Sequence, residues 1–268
     1  MSMVAIVQAQ APSRPLPDRD TLLREVRRRM RGNDALMARY RYHEQIVDYE
    51  RDERGVVTRR SVRVYKARPD RWGVPMDWIL LSRDGVAVPP AEVDRLEREW
   101  QERSAREAQE HGRESAAGQS RRQAREAKEV EEESHAIDEV FQVSDSKLLG
   151  RELVDGRNAI VLSFGPKKQS DPHTFLGKVM SRAAGRAWFD ETTYELVRFD
   201  AQTIDTVTYG WGLVARVHEG AKLTLERRPV NQEVWLPSSY RLVGNLRLFL
   251  LKETRIDREV QFSQFSRN

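Results

Sequence analysis

Short arms of alternating apolar and polar residues, broken by tight turns, recur along this chain and constrain its fold more than any other feature. In "GRELVDGRNAIVLSFGPK" two apolar arms flank the turn Val154-Asp155-Gly156-Arg157. Asp-Gly suits such a turn, because a two-residue hairpin loop needs positive φ at its central positions. "GRAWFDETTYELVRFDAQTID", Gly185 to Asp205, reads as a second hairpin with aromatic residues on both sides of its turn. "ALMARYRYHEQIVDYERDERGVVTRRSVRVYKARP" reads as a third, with arms on either side of Glu53-Arg54-Gly55. Tyr40, Tyr42, Glu44 and Ile46 share one face of its first arm, and Val62 and Val64 alternate with arginines on its second. Another strand, Asp77 to Ser82, ends at Asp84-Gly85, and three or four more fill the last quarter.

The pattern implies about eight to eleven strands joined by short turns, hence antiparallel pairing in a meander. A sheet of that size cannot stay flat. Strand twist makes it curl, and one face becomes concave.

Two helices are expected to cover that face. Asp20 is placed to cap "TLLREVRRRMRG", whose Leu22, Leu23, Val26 and Met30 form a stripe, with Gly32 as its stop. After Pro89-Pro90, "AEVDRLEREWQERS" carries Val93, Leu96 and Trp100 on one side. A short helix is expected over Phe175 to Met180, inside the loop Gly165 to Ala184. Residues 101–135 differ from all of this. Val130 is their only large aliphatic residue, so no coiled-coil seam can form. The segment is either an exposed helix held by Glu–Arg pairs one turn apart or disordered, and Gly112 and Gly118 favour an interruption.

Composition excludes several functions. The 46 Lys and Arg nearly balance the 42 Asp and Glu, and both signs are mixed along most of the 268 residues. A nucleic-acid binder concentrates its basic charge on one face, so none is expected here. With no cysteine there are no disulfides, thiolate metal sites or cysteine nucleophiles. The five histidines lack metal-ligand spacing; His43-Glu44 starts like a zinc-protease motif, but position 47 is Val. Gly210-Trp211-Gly212 lacks the third glycine of a dinucleotide fingerprint and reads as a bulge or bend. No nucleophile elbow or phosphate loop occurs. The carboxylates, among them Asp190, Glu191, Asp200 and Asp205, are too many for any pair to signal a hydrolase. Neither catalysis, a cofactor nor a metal is expected.

No run approaches the about 18 apolar residues of a membrane helix. Near the start, Ala9-Gln10-Ala11 resembles a signal-peptidase site after the apolar patch Val4 to Val7, though no basic stretch precedes it. Residues 1–19 are either the remnant of an export signal or a disordered start, and residues 20–268 form one domain carrying the charged segment.

What remains is aromatic and aliphatic character on strands, including Trp72, Trp78, Trp188, Trp211 and Trp235. Most of it is expected to be core. Part of it suits a greasy concavity beneath a helical lid, where burial at about 25 cal/mol per Å² holds an acyl chain without a specific polar group.

Three segments carry a family resemblance. Gly185, Trp188, Phe189, Asp190, Tyr194, Leu196, Val197, Arg198 and Asp200 resemble the later hairpin of the bacterial outer-membrane lipoprotein-carrier superfamily. Gly150 to Pro166 resembles the preceding hairpin, Val234 to Leu242 resembles the strand after it, and the order agrees. The resemblance implies an unclosed antiparallel β-barrel with helices plugging its mouth, of the α+β, mainly antiparallel class. It further implies a periplasmic protein that holds lipid or lipoprotein acyl chains, or, in a related branch, a sensor that binds a membrane-anchored protein. Residues 101–135 have no counterpart in the family's compact core. On the carrier reading, the wall candidates are Tyr40, Tyr42, Val64, Leu80, Trp188, Phe199, Leu223, Leu225, Tyr240, Leu242 and Leu248, with helices 20–32 and 90–100 as lid. On the sensor reading, residues 101–135 are the docking element.

Overall fold

In the computed structural model the described residues are 15–37, 39–69, 75–210, 215–248 and 253–267. Trp72, Trp211 and the Ala9–Ala11 triplet lie outside them.

The chain opens with α1 (Arg19–Met37). A first run of strands follows: β1 (Tyr40–Arg51), β2 (Val57–Pro69), β3 (Pro75–Arg83) and the two-residue β4 (Val86–Ala87). Two long helices come next, α2 (Pro90–Arg113) and α3 (Ala116–Val143). The second run holds β5 (Ser144–Val154), β6 (Arg157–Pro166), the short α4 (Phe175–Met180), β7 (Ala183–Asp190) and β8 (Leu196–Thr203). It ends with β9 (Val207–Tyr209), β10 (Ala215–Val217), β11 (Lys222–Val230), β12 (Val234–Leu248) and β13 (Thr254–Arg267).

All the strands join one antiparallel sheet, ordered β4-β3-β2-β1-β13-β12-β11-β8-β7-β6-β5, with β9 and β10 branching from β12. The expected meander is therefore interrupted twice, once where β8 pairs with β11 past β9 and β10 and once at the last strand. The last strand, β13, lies between β1 and β12 and joins the two runs. Among the described residues β4 and β5 end the main path of the sheet, which stays open, and α2 and α3 link one end to the other.

Local chemistry explains the turns. At the β7–β8 hairpin, Asp190 Oδ1 accepts from the amides of Thr192 (3.0 Å) and Thr193 (2.8 Å) and from the Thr193 hydroxyl (3.0 Å). This Asx-type turn places Tyr194 at φ +60°, outside the usual range for a bulky side chain.

The helices depart from expectation in three ways. The cap of α1 is Asp18, whose Oδ1 accepts from the Thr21 amide at 2.9 Å; Asp20 lies inside the first turn. Gly32 does not end the helix, which runs to Met37. Residues 101–135 are helical, and their break falls at Glu114-Ser115 rather than at a glycine. Ser115 Oγ accepts from the Gly118 amide at 3.2 Å and caps α3. Arg122 bridges Glu114 (3.0 Å) and Glu126 (3.2 Å) across that corner, and the pairs Arg125–Glu129 and Lys128–Glu132 support the exposed helix beyond.

Register fixes which residues share a face. Directly opposed partners run in one row from Leu148 through Leu162, Ala187, Phe199, Leu225, Tyr240 and Val260 to Ile46. This face carries α1: Leu22 and Val26 are fully buried against Ile160, Leu162, Ala187 and Phe189. It is the inner face.

α2 lies on the other side. Lys66, opposite His43, pairs with Glu97 of α2 at 2.7 Å, and Arg68 donates to Ser104 at 2.9 Å. Arg41 and Arg68 both stack on the buried Trp100. The 90–100 helix therefore braces the back of β1–β3. The inner face is covered by α1, α4 and the end of α3.

Candidate functional site

Beneath that cover is a partly open cavity of about 110 Å³. α1 contributes Leu23 and Met30, the end of α3 contributes Val140 and Phe141, and α4 contributes Met180. The floor is Leu162 and Phe164 of β6, Ala187 and Phe189 of β7, and Leu196 and Phe199 of β8. Phe164 and Phe199 stack with centroids 5.1 Å apart. Among the described residues, Ser144 and Ser146 of β5 supply the only polar side chains in the lining. Such a wall makes no directional demand on a ligand beyond its being apolar.

The apolar surface continues past the cavity. Leu225 lies opposite both Phe199 and Tyr240, and Leu223 lies opposite Leu242, so these half-buried residues extend the inner face toward β12. Cavity and trough together run across six adjacent strands, from β5 to β12.

The sequence-based wall candidates divide accordingly. Of these, Phe199 alone lines the cavity. Leu223, Leu225, Tyr240 and Leu242 form the trough. Tyr42 packs farther along the same face with Ile46, Val260 and Phe262, and Leu80 is opposite Tyr65 there. Tyr40 lies at the strand end, buried against Val234 and Leu236, with its hydroxyl 3.0 Å from Glu233. Leu248 pairs with Ala215 at the end of β12. Val64 and Trp188 are on the back face. Val64 is opposite Gln45, and Trp188 packs with Ala159, Val161 and Val197 while its indole donates to Glu152 at 2.7 Å. The neighbours of Trp188, Ala187 and Phe189, are the ones that face the cavity. In a strand of period two, an assignment one residue off inverts the face.

A buried lock holds the cover down. Glu139 of α3 accepts from the His173 amide (2.6 Å), the Thr174 amide (2.9 Å) and the Thr174 hydroxyl. Gly177 of α4 gives the carboxylate its space, since a Cβ there would lie 2.6 Å from Glu139 Cδ. Burial acts to raise the Glu139 pKa, but these hydrogen bonds outweigh it and hold the carboxyl below its ordinary value.

Glu44, on the inner face, is the opposite case. It is 4% exposed, and burial pushes its pKa up. The Trp78 indole, donating at 3.1 Å, and the charge of Arg258 oppose that rise without cancelling it. Arg258 is already held by Asp48 at 2.7 Å. A raised folded pKa means that the contribution to stability is complete below the ordinary value and is lost as pH rises through the folded one. Glu44→Gln is therefore expected to raise stability by about 1 kcal/mol at pH 7 and to change nothing near pH 4, as thermal melts at the two pH values would read.

Among the described residues no three His, Asp or Glu side chains converge as metal ligands would. Nor is any described helix long and apolar enough to cross a membrane.

An open, curved antiparallel sheet with helices seated on its inner face is the half-barrel architecture that the hairpin resemblance implies. The chain is similar to three solved structures over nearly its whole length. One is a domain provisionally named as an outer-membrane lipoprotein-sorting protein from Vibrio parahaemolyticus, 9% identical, covering 93% of each chain with a TM-score of 0.39. Another is a LolA superfamily protein from Nitrosomonas europaea, 8% identical, covering 93% of each chain with a TM-score of 0.33. The third is a DUF1329 family protein from Desulfovibrio piger, 11% identical, covering 93% of this chain and 92% of that one with a TM-score of 0.32. No family model and no curated protein matches the chain. Likenesses at this identity carry nothing about ligand or activity.

Proposed function

We propose that this chain is a carrier-like binding protein, not an enzyme, that holds the acyl chain of a lipid or lipoprotein between the inner sheet face and α1. The observation that carries the reading is the cavity wall, apolar but for two serines, continuous with the leucine trough. The periplasm is the compartment in which such a carrier would serve.

Size sets the mechanism. At about 110 Å³ the cavity is smaller than the ~150 Å³ that accommodates benzene, so a whole acyl chain requires α1 to lift. Lifting α1 exposes Leu22, Leu23, Val26 and Met30. Leu22 and Val26 are fully buried, and such side chains cost about 1.5–3 kcal/mol each when exposed. At about 0.8 kcal/mol per buried methylene, roughly eight methylenes offset about 6 kcal/mol of that loss. The carrier reading thus favours long chains over short ones.

The test is uptake of a fluorescent long-chain fatty acid. Wild type is expected to bind it stoichiometrically. Ala187→Phe, which fills the cavity floor, should weaken uptake at least about tenfold, or about 1.4 kcal/mol. Equal uptake by a folded Ala187→Phe protein, or none by wild type, contradicts the reading.

A second reading is favoured by one observation. Residues 105–134 are exposed along most of their length, far more than cavity support requires. On this reading the α2–α3 arm docks a protein partner, such as a membrane-anchored one. Replacing Arg121, Arg122, Arg125 and Lys128 by glutamine would then abolish partner capture and leave fatty-acid uptake intact; loss of uptake instead would count against it.

A further inference from the structure

We infer that the surface around α4 docks onto an anionic lipid bilayer and places the cavity mouth against it. Phe175, Leu176 and Ile204 are 39%, 42% and 48% exposed. They are gathered rather than scattered. Phe175 stands edge-on to Tyr209 at 5.6 Å, Lys178 Nζ lies 5.4 Å from the centre of the same ring, and the Ile204 amide donates to the Arg182 carbonyl at 2.8 Å.

The charge beside them is positive. A groove of about 600 Å³ is lined by Lys167, Lys168, Lys178 and Arg182, against the two carboxylates Asp171 and Asp205. That is an excess of two positive charges, and Arg182 already takes up Asp205. Lys167 and Lys168 are exposed and make no ion pair among the described residues. His173, also exposed, faces Asp171 and Glu139 and adds positive charge only when protonated.

Apolar side chains that insert at the headgroup boundary, flanked by lysines, have the composition of an interfacial patch. Anionic headgroups complement the lysines, each of which adds attraction near a charged membrane surface. A free anion would use the lysines but would leave Phe175, Leu176 and Ile204 in water.

The patch adjoins the cavity. Met180 lines the cavity, while Lys178 and Ser181 on the same helical turn line the groove. Ser144 of the cavity is the strand partner of Pro166 of the groove. Docking at α4 would bring lipid to the lid helix that Glu139 holds. The docking does not depend on the cavity being occupied, so its test is separate from fatty-acid uptake.

The experiment is flotation of the full chain with vesicles of phosphatidylcholine containing phosphatidylglycerol, and with phosphatidylcholine alone. Wild type is expected to float with the anionic vesicles at low salt and to be released as salt screens the charges. Lys167→Glu with Lys168→Glu, and separately Phe175→Ser with Leu176→Ser, should each weaken binding about tenfold or more, with melting curves confirming the fold. Inorganic phosphate at matched ionic strength should not compete. Equal binding to the neutral vesicles, no binding to the anionic ones, unchanged binding by both variants, or displacement by phosphate would each overturn the inference.

Discussion

Gly185→Ala is expected to destabilise the protein by about 3 kcal/mol, lowering the melting midpoint by roughly 6–12 °C. Gly185 lies in β7 opposite Ala201 of β8. A Cβ at this position would overlap the Asp200 carbonyl oxygen and lie 2.9 Å from the Ala201 Cα. Both obstacles are backbone, so neither can swing aside as a flexible side chain would. The strands must separate, and these two strands carry Ala187, Phe189 and Phe199, part of the cavity floor. Gly165→Ala in β6 is the matched control. A Cβ there meets nothing within 4 Å, so the change is expected to stay within about 0.5 kcal/mol. Similar melts for the two variants would contradict the close approach of β7 and β8.

Glu139→Ala is expected to cost about 2–4 kcal/mol at pH 7, the cost of leaving several donors without their acceptor. It leaves the His173 and Thr174 amides and the Thr174 hydroxyl without their shared acceptor. The loss should concentrate at the cover, with amide exchange rising first over residues 173–180. The pH dependence has a definite sign. Because the folded Glu139 pKa is depressed, its contribution is complete above the ordinary value of 4.5 and is lost as pH falls through the folded value. The gap between wild type and Glu139→Ala should therefore narrow at strongly acidic pH; the Glu44→Gln difference is likewise largest at neutral pH but has the opposite sign. A gap that stays constant down to acid would show that the lock does not depend on the Glu139 charge.

The sheet was legible because turns and alternation are local properties. Asp155-Gly156 and Glu53-Arg54-Gly55 mark hairpins within a few residues of where they occur, and the short helix Phe175–Met180 falls on its expected span. What local pattern could not supply was long-range pairing. Nothing in Thr254–Arg267 says that it lies between β1 and β12, although that placement joins the two halves.

The site was legible only in part. Phe199 and the trough residues lie on the inner face by register, whereas Trp188 lies on the back face and its smaller neighbour Ala187 makes the floor. The bulge between Trp188 and Phe189 shows how easily the phase of that strand is lost. The α3 contribution, Val140 and Phe141, follows a charged stretch that hides it, yet Ile137, Val140 and Phe141 carry helical spacing that could have revealed it. The Glu139 lock has no sequence signature at all, because its partners lie 34 and 35 residues away.

The measurement that tests the central claim most directly is native mass spectrometry of the protein purified gently from bacterial cells, followed by organic extraction and lipid analysis. A stoichiometric lipid or acylated peptide, absent from Ala187→Phe prepared in parallel, is the predicted result. A bare protein mass that takes up neither added fatty acid nor phospholipid would contradict the carrier reading and leave the α2–α3 arm as the functional surface.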